Sequence, residues 1–230
     1  MKPICLIAAR GGSKGVKNKN TRMIAGKPLI AHTIEKAINS KIFQHVIVSS
    51  EDSKIISIAK KFGAEVPFIR PKKLATDSAN MNDVLIHAIK KLYSLNYKFD
   101  IIVNRDCTVP FIQNKDIKGS IKLLKHKKCD TVFGAYKQHH NPYFNMMEPN
   151  KKGFLEFSKK LKTRILTRQS APIVYQLNGL FTIDVKRFLK YQTLIMPKIL
   201  PYEIQPETGW MIDTEFEFKV AEMIFKTYNN

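Results

Sequence analysis

Short apolar runs alternate with longer amphipathic stretches along most of the chain. A short apolar run between turn-forming residues predicts a buried strand, and apolar positions recurring three and four residues apart predict a helix. Predicted strands cover residues 3–9, 45–50, 65–70, 100–103, 131–135, 177–183 and 201–204. Predicted helices cover residues 28–38, 52–62, 80–95, 115–125 and 213–226. Strands that alternate with helices in this way predict right-handed βαβ units, and therefore an α/β fold with a mostly parallel sheet.

Residues 137–170 interrupt this pattern. They are rich in His, Asn, Pro, Lys and Met and show no long amphipathic stripe. In a compact domain, a long stretch without regular structure is usually functional or flexible. We therefore expect one domain over residues 1–230, from which a segment of hairpins, residues 138–172, protrudes.

The loop that follows the first strand, residues 8–20, has the sequence AARGGSKGVKNKN. Ligands of open parallel sheets bind beyond the carboxyl ends of the strands, so this loop lies where a ligand is expected. Adjacent glycines let backbone amides approach an anion closely, and the loop also carries Arg10, Lys14, Lys17 and Lys19. The loop matches neither the Walker pattern nor the dinucleotide fingerprint. It is therefore either a phosphate-binding loop of another kind or a flexible surface turn.

The 230 residues include 39 Lys and Arg against 19 Asp and Glu, a formal charge of +20. Either nucleic acid or a small anionic substrate would be attracted by this charge. The cations are spread along the chain, and Lys far outnumbers Arg, whereas base contacts favour Arg. We therefore expect a small anionic substrate and no nucleic acid, with polyanion binding as the alternative.

The cellular location is predicted from the apolar runs and the cysteines. No apolar run approaches the roughly 20 residues that a membrane-spanning helix needs, and the opening apolar run is short for a signal peptide. Cys5, Cys107 and Cys129 lack zinc-site spacing, so we expect three reduced thiols. Together these features predict a cytoplasmic protein that does not enter a membrane.

Several motifs, in order, resemble those of the acylneuraminate cytidylyltransferases, the CMP-sialic acid synthetases. The likeness covers nearly the whole chain. The motifs are ARGGSKGVKNKN at 9–20 with GKPLIAHTI at 26–34, VIVSSED at 46–52, FGAEVPFIRPKKLATD at 62–77, RQSAP at 168–172 with NG at 178–179, and IDTE at 212–215. Residues 140–148 resemble the branch that acts on bacterial nonulosonic acids such as legionaminic acid.

The resemblance implies a three-layer α/β/α nucleotidyltransferase (Rossmann-like) fold. It also implies Mg²⁺-dependent transfer of CMP from CTP to the anomeric hydroxyl of a sialic-like nine-carbon acid, with release of pyrophosphate. Mn²⁺ is the alternative metal, and a different sugar such as deoxy-octulosonate is the alternative acceptor. The implied assembly is a homodimer formed through residues 138–172.

The resemblance also assigns residues. The implied catalytic residues are Arg10, Lys14, Lys19 and Asp213. The implied nucleotide contacts are Ala9, Arg10, Gly11, Gly12, Ser13, Lys14, Lys19, Asn20, Arg70 and Asp77. The implied sugar contacts are Arg168, Gln169, Tyr175 and Asn178, and the implied metal ligands are Asp106 and Asp213.

Two positions depart from the family pattern. Met211 stands where the final motif commonly has a first Asp, which leaves Asp213 alone there, and Gln176 replaces a second family Arg. Asp106 is therefore the expected second metal ligand, by likeness to the deoxy-octulosonate enzymes. Both carboxylates have alternatives, because Asp106 also suits a helix cap or a loop salt bridge, and Asp213 also suits the N-cap of the last helix. The spacing of the six histidines indicates neither a metal site nor a general base.

Overall fold

Six strands form a central sheet in the computed structural model, which describes residues 1–163 and 165–228. Two short hairpins and six helices complete the regular structure of the described residues. In chain order the elements are β1 (Ile4–Ala8), β2 (Met23–Ile24), β3 (Lys27–Pro28), α1 (Leu29–Asn39), β4 (Val46–Ser49), α2 (Ser53–Lys61), α3 (Met81–Ser94), β5 (Ile101–Arg105), α4 (Asn114–Lys127), β6 (Thr131–Lys137), β7 (Met147–Pro149), β8 (Leu155–Phe157), β9 (Tyr175–Asp184), α5 (Val185–Tyr191), β10 (Ile199–Glu203) and α6 (Glu215–Tyr228).

The sheet has the strand order β10-β6-β9-β5-β1-β4. Strand β1 pairs in parallel with β4 and β5, and β10 pairs in parallel with β6. Strand β9 lies between β5 and β6 and is antiparallel to both. The mostly parallel sheet predicted from the sequence is confirmed, with one reversed strand near its centre.

Helices cover both faces of this sheet. Along β1, Cys5 and Ile7 pack with α1 and α2, whereas Ile4 and Leu6 pack with α3 and α5. Adjacent strand residues point to opposite faces, so this alternation produces two separate apolar layers. Helix α4 packs on the α1 side, where its Ile117 and Leu124 contact Val103 of β5. The fold is therefore the expected three-layer α/β/α arrangement.

Side-chain caps set the starts of two helices. The Asp52 carboxylate accepts the backbone N–H of Ile55 at 2.8 Å and caps α2, and Asn80 caps α3 in the same way. The strand predicted over 65–70 is wrong, because only Glu65 forms a bridge, to Ile47 of β4. Pro67 follows and has no N–H with which to continue a ladder.

The segment 138–172 contains the β7–β8 hairpin, which is paired only with itself among the described residues. Many of its apolar side chains face solvent, although such residues usually lie in a core. The exposed apolar residues are Met146, Met147, Phe154, Leu155, Phe157, Leu161 and Leu166.

The cysteines and the helices bear on two further expectations from the sequence. The three cysteines are free thiols, and all three are buried. None of the helices in the described chain combines the length and apolar content that crossing a bilayer requires.

Candidate functional site

A cleft of about 300 Å³ lies beyond the carboxyl ends of β1 and β5. This is the edge at which parallel sheets bind ligands, since strand ends and helix starts leave loops there. The cleft is lined by nine of the residues proposed from the sequence as nucleotide or metal contacts. They are Arg10, Gly12, Ser13, Lys19, Asn20, Arg70, Asp77, Asp106 and Asp213.

The start of the loop after β1 is held by a buried ion pair. Arg70, only 4% exposed, donates to the Ala9 carbonyl and to the Glu51 carboxylate. Glu51 also accepts the backbone N–H of Gly11 at 2.8 Å. Burial lowers the pKa of the Arg70 guanidinium, and the adjacent Glu51 carboxylate opposes that shift. The pair therefore fixes the backbone that leads into the Gly-rich loop.

The far end of the loop is tied back to its start by Asn20. Its Nδ2 donates to the Arg10 carbonyl at 2.9 Å, and its Oδ1 accepts the thiol of Cys107, also at 2.9 Å. Burial raises the pKa of Cys107, which keeps the thiol protonated as a donor. Asn20 thus joins the β1 loop to the loop that follows β5.

Three cations proposed as phosphate contacts lie beside carboxylates. Asp77 pairs with Arg10 at 2.8 Å and with Lys14 at 2.9 Å, and Lys19 pairs with Asp213 at 2.9 Å. The hydrogen bond from Lys14 and the nearby positive charges lower the pKa of Asp77. All three cations therefore pair with acidic side chains, and Arg10 and Lys19 line the cleft itself.

Asp213 is placed by the start of α6. The Glu217 carboxylate accepts the backbone N–H groups of Asp213 and Thr214 at 2.8 Å, and the Glu217 N–H donates to the Thr214 hydroxyl at 3.2 Å. This reciprocal arrangement is a capping box in which Thr214, and not Asp213, is the cap. The Asp213 carboxylate remains available to the cleft, 58% exposed and held by Lys19.

Asp106 lies across the same cleft, in a turn after β5. Its Oδ1 accepts the N–H of Thr108 at 2.9 Å, and its own N–H donates to the Gly179 carbonyl at 2.7 Å. This turn contact is neither the helix cap nor the salt bridge given as alternatives for this residue, and it leaves the second carboxylate oxygen without a hydrogen bond among the described residues.

The carboxylates of the cleft fit one type of metal site. Within the described chain there is no group of three or more His, Cys, Asp or Glu residues suited to a metal ion. Asp106 and Asp213 nevertheless line one cleft and offer hard oxygen donors. Mg²⁺ is typically bound by one or two carboxylates, with water and substrate phosphates completing its octahedron. The residues present therefore fit a magnesium ion that arrives with a phosphate, and do not fit a site made wholly of protein ligands.

The proposed sugar contacts lie outside this cleft. Arg168 and Gln169 are exposed on a short turn of the protruding segment, and Tyr175 donates its hydroxyl to Glu203 at 2.7 Å. Asn178 is buried, and its neighbour Gly179 contacts Asp106 through the backbone. Of these four, only Asn178 thus borders the cleft residues.

Comparison with known proteins agrees with this geometry. A family model described as Cytidylyltransferase matches residues 4–216. A pseudaminic acid cytidylyltransferase of Campylobacter jejuni is 46% identical over 98% of this chain and 97% of its own. A CMP-N,N'-diacetyllegionaminic acid synthase of the same species is 33% identical over 98% of this chain and 96% of its own.

A solved structure of CMP:2-keto-3-deoxy-manno-octonic acid synthetase, complexed with CTP, is also similar. It covers 99% of this chain and 100% of its own, with a TM-score of 0.76 at 17% identity, which shows a shared fold. The chain therefore belongs to the cytidylyltransferase family of nucleotide-transferring enzymes, in the group whose relatives are named for nonulosonic acids. The family resemblance found in the sequence motifs is confirmed.

Sequence reasoning assigned no role to three residues that shape the site. Glu51, Cys107 and Glu217 hold Gly11, Asn20 and Asp213 respectively. Glu51 lies in the recognised VIVSSED motif, directly after a predicted strand, so its position was a usable signal. Glu217 stands three residues after Thr214, the spacing of a capping box, which could also have been found. Cys107 carried no signal, because its partner is remote in sequence.

Proposed function

We propose that this protein transfers CMP from CTP to the anomeric hydroxyl of a nonulosonic acid and releases pyrophosphate. The proposal is supported by the names of the full-length relatives. The observation that carries it is the convergence of Arg10, Lys19 and two aspartates on one cleft at the carboxyl edge of the sheet.

In this reaction the acceptor hydroxyl oxygen forms a bond to the α-phosphorus of CTP. The bond from that phosphorus to the bridging oxygen breaks, pyrophosphate leaves, and the hydroxyl proton passes to water. Phosphoryl-type transfer depends mainly on positioning and on neutralising charge. Arg10 and Lys14 would exchange Asp77 for phosphate oxygens.

We also propose that Asp106 and Asp213 hold the magnesium ion, with Mn²⁺ as the alternative. When bound, such an ion neutralises charge on phosphate oxygens. Lys19 keeps the Asp213 carboxylate oriented toward the cleft, and it also donates to the Ile212 carbonyl at 2.7 Å. Lys19 thus positions the Asp213 carboxylate, the proposed metal ligand, before the nucleotide binds.

The direct test is a pyrophosphate-release assay with each nucleoside triphosphate and a panel of sialic, legionaminic, pseudaminic and deoxy-octulosonic acids. We expect turnover with CTP and a nine-carbon acid. Turnover only with deoxy-octulosonate, or only with another triphosphate, would favour a different sugar nucleotidyltransferase instead.

Asp213→Asn tests the metal site. We expect kcat to fall on the order of 100-fold, as when one electrostatic contact to a transition state is lost. Asp106→Asn should behave similarly, and unchanged activity would remove Asp106 from the site. Glu222→Gln, on the same helix α6, is the control and should retain full activity.

The assembly is a further part of the proposal. We infer a homodimer formed through the segment 138–172. It is supported by the exposed apolar side chains of the segment, such as Phe154 at 70% and Leu166 at 76%, because exposed apolar patches mark interaction surfaces. The cytoplasmic location and the absence of a nucleic-acid partner stay predictions from the sequence.

A further inference from the structure

A groove of about 590 Å³ lies between α4 and the start of β1, at the opposite end of the sheet from the cleft. Its residue Pro3 directly precedes β1, whereas the cleft lies beyond the carboxyl end of the same strand. We call this the basic groove, and it is lined by Pro3, Ile42, Lys118, Ile121, Lys122, Lys125 and His126.

The floor of the basic groove is aliphatic and is held in place from below. Pro3, Ile42 and Ile121 supply its apolar surface, and the two isoleucines are half-buried against the core layer under α4. The Gln44 N–H donates to the Pro3 carbonyl at 2.9 Å, and the Ile42 N–H donates to the Ser40 hydroxyl at 3.2 Å. These hydrogen bonds fix the wall opposite α4, so the groove is formed before any partner binds.

The rim of the basic groove is strongly cationic. Lys2 and Lys41 are exposed beside Pro3 and Ile42. None of the ion pairs in the described part of the chain uses these lysines or any lysine of α4. Every exposed residue of α4 is a lysine or a histidine, and these are Lys115, Lys118, Lys122, Lys125, His126 and Lys127.

The stability of α4 does not account for this row of cations. Cations in the last turn of a helix are favourable beside the negative end of its dipole, which explains Lys125 and Lys127. Lys115 lies in the first turn, where the dipole disfavours a cation, and Lys118 and Lys122 are four residues apart, where like charges repel. An anionic partner explains these three lysines better than the helix itself does.

The shape and chemistry of the basic groove favour one kind of anionic partner. A recessed apolar floor receives a protruding side chain, whereas a bilayer binds apolar side chains that project from a protein. Single-stranded nucleic acid stacks its bases on aromatic side chains, but the apolar lining here is aliphatic. A second copy of the chain would bring its own charge of +20 to a surface of the same sign. A protein segment with both carboxylates and an aliphatic side chain complements rim and floor together.

We propose that the basic groove docks an acidic segment of another protein through one or two aliphatic anchor side chains. A helix laid into an apolar groove, with its charged flanks against the rim, is a common form of such docking. The inference does not depend on the proposed function. It would bring a partner protein to this chain while the cleft at the other end of the sheet stays accessible.

A synthetic helical peptide, about four turns long, with leucines along one face and glutamates beside them, is the probe. Fluorescence anisotropy of the labelled peptide measures its Kd for the full chain at low salt. We expect saturable binding that weakens about tenfold when the leucines are replaced by serines, because apolar burial is lost. Equal affinity for the serine peptide would show that charge alone attracts it, and that result, like a failure to bind, would overturn the inference.

Lys118→Glu combined with Lys122→Glu tests the rim. This double variant should bind the leucine peptide about tenfold more weakly, because two attractive contacts become repulsive. Lys90→Glu with Lys91→Glu makes the same change of charge on α3, on the opposite face of the sheet, and is the control. It should alter the affinity less than about twofold, since salt screens distant exposed charges. Equal losses in the two double variants would contradict docking at the groove.

Oligo-dT and phosphatidylglycerol vesicles are the competing probes. If either bound more tightly than the leucine peptide, and lost that binding with Lys118→Glu and Lys122→Glu, the groove would belong to nucleic acid or to a membrane and the inference would fail. Pyrophosphate release should be unchanged in this double variant, because neither lysine lines the cleft. A failure of docking is thereby distinguished from a failure of the proposed function.

Discussion

Two cationic side chains, Arg105 and Lys36, lie close together in the interior of the protein. Arg105 is fully buried at the end of β5, and none of its guanidinium nitrogens has a hydrogen-bond partner among the described residues. Lys36 of α1 lies nearby and donates to the Pro110 carbonyl at 3.1 Å. Burial, and then the charge of Arg105, lowers the pKa of Lys36 to about 8. Two like charges therefore share a poorly solvated region.

This pair predicts a pH dependence of stability. Between pH 8 and the ordinary lysine pKa of 10.5, the unfolded chain binds a proton at Lys36 that the folded chain does not. The unfavourable contribution of Lys36 is therefore fully present below pH 8 and is relieved as the pH rises toward 10.5. Lys36→Met should therefore raise the free energy of unfolding most at pH 8 and below. The difference from wild type should shrink as the pH rises toward 10.5.

Urea unfolding at neutral and alkaline pH measures this effect. Lys91→Met, at an exposed position of α3, is the matched control and should show a difference from wild type that does not depend on pH. A pH-independent difference for Lys36→Met as well would mean that Lys36 titrates normally.

At the scale of elements, the apolar pattern predicted all six strands of the central sheet and five of the six described α-helices, because burial on one face imposes a period on the sequence. It did not show that β9 runs antiparallel to its neighbours, since strand direction depends on the connections and not on the pattern. The helix α5 was missed because its seven residues are too few for a clear period.

Gly15 determines how closely the loop after β1 approaches the start of α6. A Cβ at Gly15 would lie 1.9 Å from the Asp213 carbonyl oxygen, a backbone atom that cannot rotate away. Gly15→Ala should therefore lower the free energy of unfolding by about 1–3 kcal/mol, the usual cost of overpacking, and should displace Asp213.

Thermal or urea unfolding measures the loss of stability, and the pyrophosphate assay measures the effect of displacing Asp213. Gly12→Ala is the control for stability, because a Cβ there would meet nothing within 4 Å. Equal stability of the two variants would show that the loop can move away from α6 at little cost.

At the scale of the whole molecule, the proposed homodimer depends on the protruding segment 138–172. Light scattering of the wild-type protein should give twice the chain mass of 26.5 kDa. Phe154→Glu should shift the protein to the monomer mass, because it places a charge in the proposed apolar interface.

Met223→Glu changes an equally exposed apolar side chain on α6 and should leave the dimer intact. A wild-type monomer would refute the homodimer, and a dimer that survives Phe154→Glu would place the interface outside this part of the segment.

The sequence by itself determined the α/β class, the Gly-rich cationic loop and the family, because periodic burial and ordered motifs are properties of neighbouring residues. It also identified Arg10, Lys19, Asp106 and Asp213, which the fold brings to one cleft. Only the tertiary structure decided which carboxylate pairs with which cation, and that the side chains of Gln138 and Gln176 are hydrogen-bonded. The physical reason is that hydrogen bonds and ion pairs require contact within a few ångströms. Contacts between residues far apart in sequence exist only after the sheet has formed.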